Sequence, residues 1–306
     1  MLGLEYFSFA DLWSPLFLAG MLLLTAGYFV LIGPLSARFS GSAPVPLRLR
    51  FLFVLGMAAL YLAQGGPVSL LGHMMFSFHM VSMALSYLVA VPLLMMGIPD
   101  WVWRAVLKVN PLRGLSFLAH PVVAALLFNG LFSLYHIPVI HDYVMLHFTV
   151  HRLYYTVLFV TAGLMWWTLI NPLPERRMAS GLGKIGFIFL NMVLLTPACG
   201  LIIFADRPLY ATYSDPDTWA RAMGYCVSGD PAALLKSFGG PAFFGWLAPK
   251  VDQQVGGIAM KFIQEFIFAS MLAYVFYHWY KKENGQDDSE ESPPSSELES
   301  GSLTRA

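Results

Sequence analysis

The chain has 306 residues, of which 57% are hydrophobic and only 12% charged, and its 18 Lys and Arg balance 18 Asp and Glu to a net charge of zero. Its mean hydropathy is +0.63, whereas a soluble globular chain carries about a quarter charged residues. A soluble enzyme and a nucleic-acid binder with a basic face are excluded, which leaves an integral membrane protein whose surroundings are the lipid bilayer.

A hydrocarbon core about 30 Å thick is crossed by roughly 20 apolar residues of helix. In chain order seven segments predict such helices: 15–33, 49–65, 70–96, 115–135, 145–170, 184–205 and 256–280. The fold class is therefore all-α, a polytopic domain of seven transmembrane helices over 1–282. The first segment does not read as a cleavable signal, because Glu5 and Asp11 precede the first basic residue, Arg38. Arg38, Arg48 and Arg50 follow segment one; Arg104, Lys108 and Arg113 follow three; Arg176, Arg177 and Lys184 follow five; Lys281 and Lys282 follow seven. The connections 66–69 and 136–144 hold no Lys or Arg. Short cytoplasmic loops concentrate these residues, so the N-terminus is expected outside and the C-terminus in the cytoplasm. The connection 206–255 places Trp219, Phe243, Phe244 and Trp246 among Gly and Pro, and reads as a cap on the outer face. From Glu283 onward seven Asp or Glu face a single Arg305, which predicts a disordered acidic cytoplasmic tail over 283–306.

On this topology His73, His136, His141, His147 and His151 gather at the outer end, with His79 further in. His120 and His278 fall toward the other side and read as helix contacts. Helical spacing puts Met75, His79 and Met83 on one stripe and His147, His151 and Tyr155 on another. Thioether sulfur suits Cu(I), and imidazole accepts Cu, Zn or Fe, while Asp142 is the only carboxylate adjacent, so the donor set points to copper. The plainer reading stays open, since methionine fills apolar helices and a buried histidine is commonly a hydrogen-bonded contact. The pair His147/His151 lacks the glutamate of a metalloprotease motif and does not indicate hydrolysis. Lys261, Gln264 and Glu265 share one face, either lining a polar vestibule or forming a pair that sets helix depth. Cys199 and Cys226 have no metal or redox spacing, and a disulfide between them stays open.

Three stretches carry a resemblance: "GHMMFSFHMVSMALSYLVAVPLLMMGIP", "NGLFSLYHIPVIHDYVMLHFTVHRLYYTVLFVTAGLMWWTLINPLP" and "DQQVGGIAMKFIQE". Over residues 15–280 the chain resembles the CtaG family of multi-span cytochrome c oxidase assembly factors, the type linked to caa-type oxidases of Gram-positive bacteria. A one-span copper chaperone of proteobacteria shares that name but has a Cys motif absent here. The resemblance implies a non-enzymatic maturation factor in the bacterial cell membrane, with haem-copper oxidase subunits as partners. It also implies that His73, His79, His136, His147 and His151 are the candidates for copper handling. Together with the stripe, the expected metal residues are His73, Met75, His79, Met83, His136, His147 and His151, holding Cu(I) for delivery at the outer face. Two other classes compete: a membrane b-type haem redox protein using paired histidines, and a retinal-type receptor. The latter is disfavoured because Lys261 lies near the outer end of the last segment rather than mid-membrane.

Overall fold

A computed structural model describes residues 3–108, 116–173, 180–227 and 230–290, and among these the regular elements are helical. Arg113, Arg176, Arg177 and residues 291–306, on which part of the orientation and tail reading rests, lie outside the described residues. Helices α1 (Phe9–Trp13) and α2 (Pro15–Ile32) lead into α3 (Leu47–Gln64) and α4 (Pro67–Met74). Then come α5 (Phe76–Ala84), α6 (Val91–Gly97), α7 (Asp100–Val106), α8 (Pro121–Tyr135) and α9 (Pro138–Met145). The remainder is α10 (Phe148–Ile170), α11 (Gly181–Ile203), α12 (Pro216–Met223), α13 (Pro231–Phe238) and α14 (Pro249–Glu290).

Six lengths are long and apolar enough to cross a bilayer: Phe9–Ile32, Leu47–Met74, Phe76–Gly97, Phe148–Ile170, Gly181–Ile203 and Pro249–Lys281. The chain is thus a multi-pass helical membrane protein, with six such lengths among the described residues. The count reaches the expected seven if α8 and α9, which meet at 81°, form one broken span. The cause is local. Pro138 holds Ile137 in an extended conformation (φ −69°, ψ 124°) and starts a new helix at its own first position, leaving α8 at 15 residues, or about 22 Å.

One correction concerns the stretch predicted as the connection 66–69. Pro67 opens α4 there, and the chain turns instead at Met75, extended at φ −133° and ψ 131°. His73 therefore ends one arm of a hairpin and His79 begins the other. The second arm runs from Phe76 to Gly97 and contains a π stretch at Leu85–Ala90. Pro92 has no N–H to give the preceding turn. Near that opening the carbonyl of Tyr87 accepts a hydrogen bond from Trp166 Nε1 at 2.9 Å.

What makes so sharp a turn tenable is the stretch "DQQVGG" at 252–257. Four amides at the start of a helix and four carbonyls at its end have no partner inside it. The Asp252 carboxylate accepts from Phe76 N at 2.7 Å and from Ser77 N and Oγ, capping α5 and complementing its dipole. Gln253 accepts from Leu209 N at 2.7 Å and donates to Ile202 O, while Gln254 donates to Ile203 O and Ala205 O, so the end of α11 is closed as well. Both contacts require close approach: a Cβ on Gly256 would stand 3.0 Å from Ser77 Cα, and one on Gly257 2.9 Å from the Ile202 and Ile203 side chains.

The main core runs from Phe76, Met80 and Met83 on α5 through Phe128 and Phe132 on α8 to Trp166, Ile188 and Phe268. The segment between α11 and α14 packs on the hairpin turn, with Trp219 fully buried against Leu70, Leu71, Met74, Met75 and Phe244. The last helix continues to Glu290, so residues 283–290 prolong it beyond the expected boundary at 282.

Candidate functional site

The hairpin turn, the α8–α9 bend and the start of α10 bring five histidines to one end of the bundle. His79, on the second turn of α5, is the hub of an inner group: its ring lies 5.2 Å from His141 and 6.3 Å from His136, centroid to centroid. These three are 3%, 0% and 1% exposed. An outer pair, His73 and His151, meets edge to face at 5.9 Å. Tyrosines join the two groups. Tyr155 packs on His151 at 4.2 Å, its hydroxyl is 3.3 Å from that of Tyr135, and Tyr135 stacks on His79 at 5.6 Å.

The hydrogen bonds settle the tautomers. His73 Nδ1 is 2.8 Å from Ser69 O, and His136 Nδ1 is 2.7 Å from Phe132 O. A carbonyl can only accept, so Nδ1 carries the proton and Nε2 presents a lone pair. Nε2 of His79, His136 and His151 and both ring nitrogens of His141 are buried without a hydrogen-bond partner among the described residues. A buried polar atom left unpaired costs about 1–3 kcal/mol, and five such nitrogens stand in this group. A backbone carbonyl holding one nitrogen while the other stays free is the usual arrangement around a metal-ligating histidine.

A cavity of about 320 Å³ opens into this group, lined by His73, His79, His151, Tyr155, Met145 and Cys226. Deeper in, Ser82 and the hydrogen-bonded pair Gln64 and Ser86 (2.6 Å) make its wall polar. Asp142 is otherwise engaged: it accepts from Ala211 N at 3.0 Å and Thr212 N at 3.1 Å, and stands 3.6 Å from His141 Nδ1, beyond hydrogen-bond distance. Burial pushes the Tyr213 hydroxyl well up, which keeps it a donor, to Gly72 O at 2.7 Å. Tyr210 donates to His136 O at 2.8 Å, so the segment after α11 grips both histidine-bearing turns.

Of the expected residues, His73, His79, His136 and His151 are brought together. His147 is not: it is exposed, precedes the first residue of α10 without a side-chain capping bond, and packs on Tyr143 at 4.1 Å. Residues 147–151 are expected within one helix, but His147 lies at the helix boundary (φ −130°, ψ 96°), so the pair does not share a face. The methionine stripe also divides. Met75 sits in the turn and packs with Leu70, Met74 and Trp219, while Met83 lies in the main core away from the cavity lining. The thioethers that do line the cavity are Met21 and Met145, the latter 3.6 Å from the Tyr135 hydroxyl. His141 was visible as a histidine near the bend, and the 81° bend is what carries it inward. Among the described residues no three His, Cys, Asp or Glu stand close enough to hold one ion as placed. Lys261 pairs with Glu265 at 2.6 Å and donates to Thr196 at 2.9 Å, away from the cavity lining. Cys199 and Cys226 are both free thiols, which corrects the disulfide alternative. His120 and His278 are exposed and outside the group.

A family model described as "Cytochrome c oxidase caa3 assembly factor (Caa3_CtaG)" matches residues 26–282, most of the chain. No curated protein and no solved structure matches it.

Proposed function

The chain belongs to the caa3-type cytochrome c oxidase assembly factor family, and from that premise we propose that it holds Cu(I) at the histidine end of the bundle and passes it to an oxidase subunit in the same membrane. The observation that supports this reading is that His79 and His151, each with a buried and unpartnered Nε2, line one cavity with His73 and Met145, and that the ring of His136, its Nε2 likewise unpartnered, stands 6.3 Å from that of His79. Imidazole with the thioether of Met145 is a donor set that accepts Cu(I) and releases it more readily than a closed thiolate site. In this reading the histidine end faces the outside of the bacterial cell membrane, in keeping with the absence of Lys and Arg from 136–144. The role is one of binding and transfer and requires no catalysed bond change. Paired imidazoles also suit a b-type haem, but the family match lends that alternative no support.

Deletion of the gene tests the proposal. Oxidase polypeptides should still be made and inserted while oxidase activity and membrane copper fall, and added copper should restore part of both. Normal oxidase activity in copper-limited medium would overturn it.

A further inference from the structure

The cavity has a thiol where it opens. Cys226, in the turn after α12, is free and partly exposed, beside exposed Arg152 and Tyr225, which line the same opening. It shares the cavity lining with the ring of His73. The ring is set to meet a ligand, since its Nδ1 is engaged by Ser69 O and Nε2 is left as the lone pair. His151 stands one ring contact further in, with an unpartnered Nε2. His79, 3% exposed and with its own unpartnered Nε2, lines the same cavity deeper still.

We propose that Cys226 and His73 form a two-coordinate entry site for a soft monovalent cation, with His151 as the next donor on the way to His79. The direction of travel rests on the copper reading above; the site itself does not. A thiolate and an imidazole suit Cu(I), whereas Zn(II) wants four donors and finds no third His, Cys, Asp or Glu closing the site among the described residues. On binding, the metal–sulfur bond forms as the thiol proton leaves to water at the opening, and no electron changes hands. Partial exposure of the thiol permits loading, because a wholly buried cysteine is inert.

The test uses the full chain in detergent under anaerobic reducing conditions, titrated with Cu(I) and, separately, Zn(II). Two signals are read: the rate of maleimide alkylation of Cys226 and the thiolate-to-Cu(I) ultraviolet band. A Cys199→Ala background leaves Cys226 as the one thiol. One equivalent of Cu(I) should slow alkylation by about tenfold or more and produce the band. Cys226→Ser should abolish the band, and His73→Ala should abolish both the band and the protection, while His79→Ala should keep them and lower the total copper bound. If Cys226→Ser fails to fold, alkylation of the unsubstituted thiol still decides. Bound Cu(I) without protection or band would overturn the entry site and leave the inner-histidine reading intact. No Cu(I) bound at all would overturn both, and equal protection by Zn(II) would overturn the soft-cation assignment.

Discussion

Replacing Asp252 by Ala should loosen the site without touching a histidine. The carboxylate is 7% exposed and accepts from Phe76 N at 2.7 Å, Ser77 N at 3.3 Å and Ser77 Oγ. Its removal leaves a buried amide without an acceptor, about 1–3 kcal/mol, and removes a charged cap from α5, about another 1 kcal/mol. The freed Ser77 hydroxyl recovers part of this by turning back on the backbone, so the net loss should be about 2–4 kcal/mol. Asp252→Asn keeps one acceptor of the same shape and should lose about 1 kcal/mol. Thermal unfolding of the detergent-solubilised protein, followed by helical circular dichroism, should rank unsubstituted above Asn above Ala. Because His79 lies on the second turn of α5, the Ala variant should also bind Cu(I) more weakly, and the Asn variant less so. An Ala variant that melts with the unsubstituted protein would refute the claim that this carboxylate holds the hairpin turn.

Three further outcomes follow from the geometry. In a chelator-competition titration, His79→Ala should weaken Cu(I) binding by about tenfold or more, while His147→Ala should leave it unchanged, since His147 is exposed and held by Tyr143 O at 2.7 Å. Gln254→Ala should lower the unfolding temperature, because the carbonyls of Ile203 and Ala205 lose their donor; the cost is about 1 kcal/mol, read in the same melting assay. An exterior-active reporter fused after Pro138 should be active and one fused after Lys108 silent; the reverse pattern would place the histidines on the cytoplasmic side.

Composition alone carried the helical membrane class, and the histidines near three helix ends are those that the fold gathers at one end of the bundle. What spacing could not carry was backbone direction. The stripe Met75, His79 and Met83 assumes one continuous helix, and a turn at Met75 sends its side chain into a different core. No local signal in "HMMFSF" marks that turn, because the carboxylate that caps it is 176 residues away. The bend at Pro138 was legible as a proline, yet its 81° angle, which decides that His141 points inward, comes from packing. The distance of Cys226 from Cys199 in sequence carries no sign that the fold sets it in the same cavity lining as His73.

The tyrosines explain how so many imidazoles persist in an apolar end. A neutral ring needs its N–H satisfied, and the backbone carbonyls of Ser69 and Phe132 do this for His73 and His136. Tyr135, Tyr155, Tyr210 and Tyr213 then pack on the rings while spending their hydroxyls elsewhere: on Met145 sulfur and another tyrosine for Tyr135, and on the carbonyls of His136 and Gly72 for Tyr210 and Tyr213. The rings are thereby fixed in place while their Nε2 atoms are left unmatched. A structural role would call for the opposite, a donor aimed at each lone pair, as Asn129 and Asn191 achieve mid-bundle at 2.7 Å. Giving His79 such a donor, by Phe76→Tyr, is therefore a change that should raise stability while lowering Cu(I) affinity. Opposite signs in those two measurements are what a ligand site predicts; a rise in both, or no change in affinity, would return these histidines to the ordinary core.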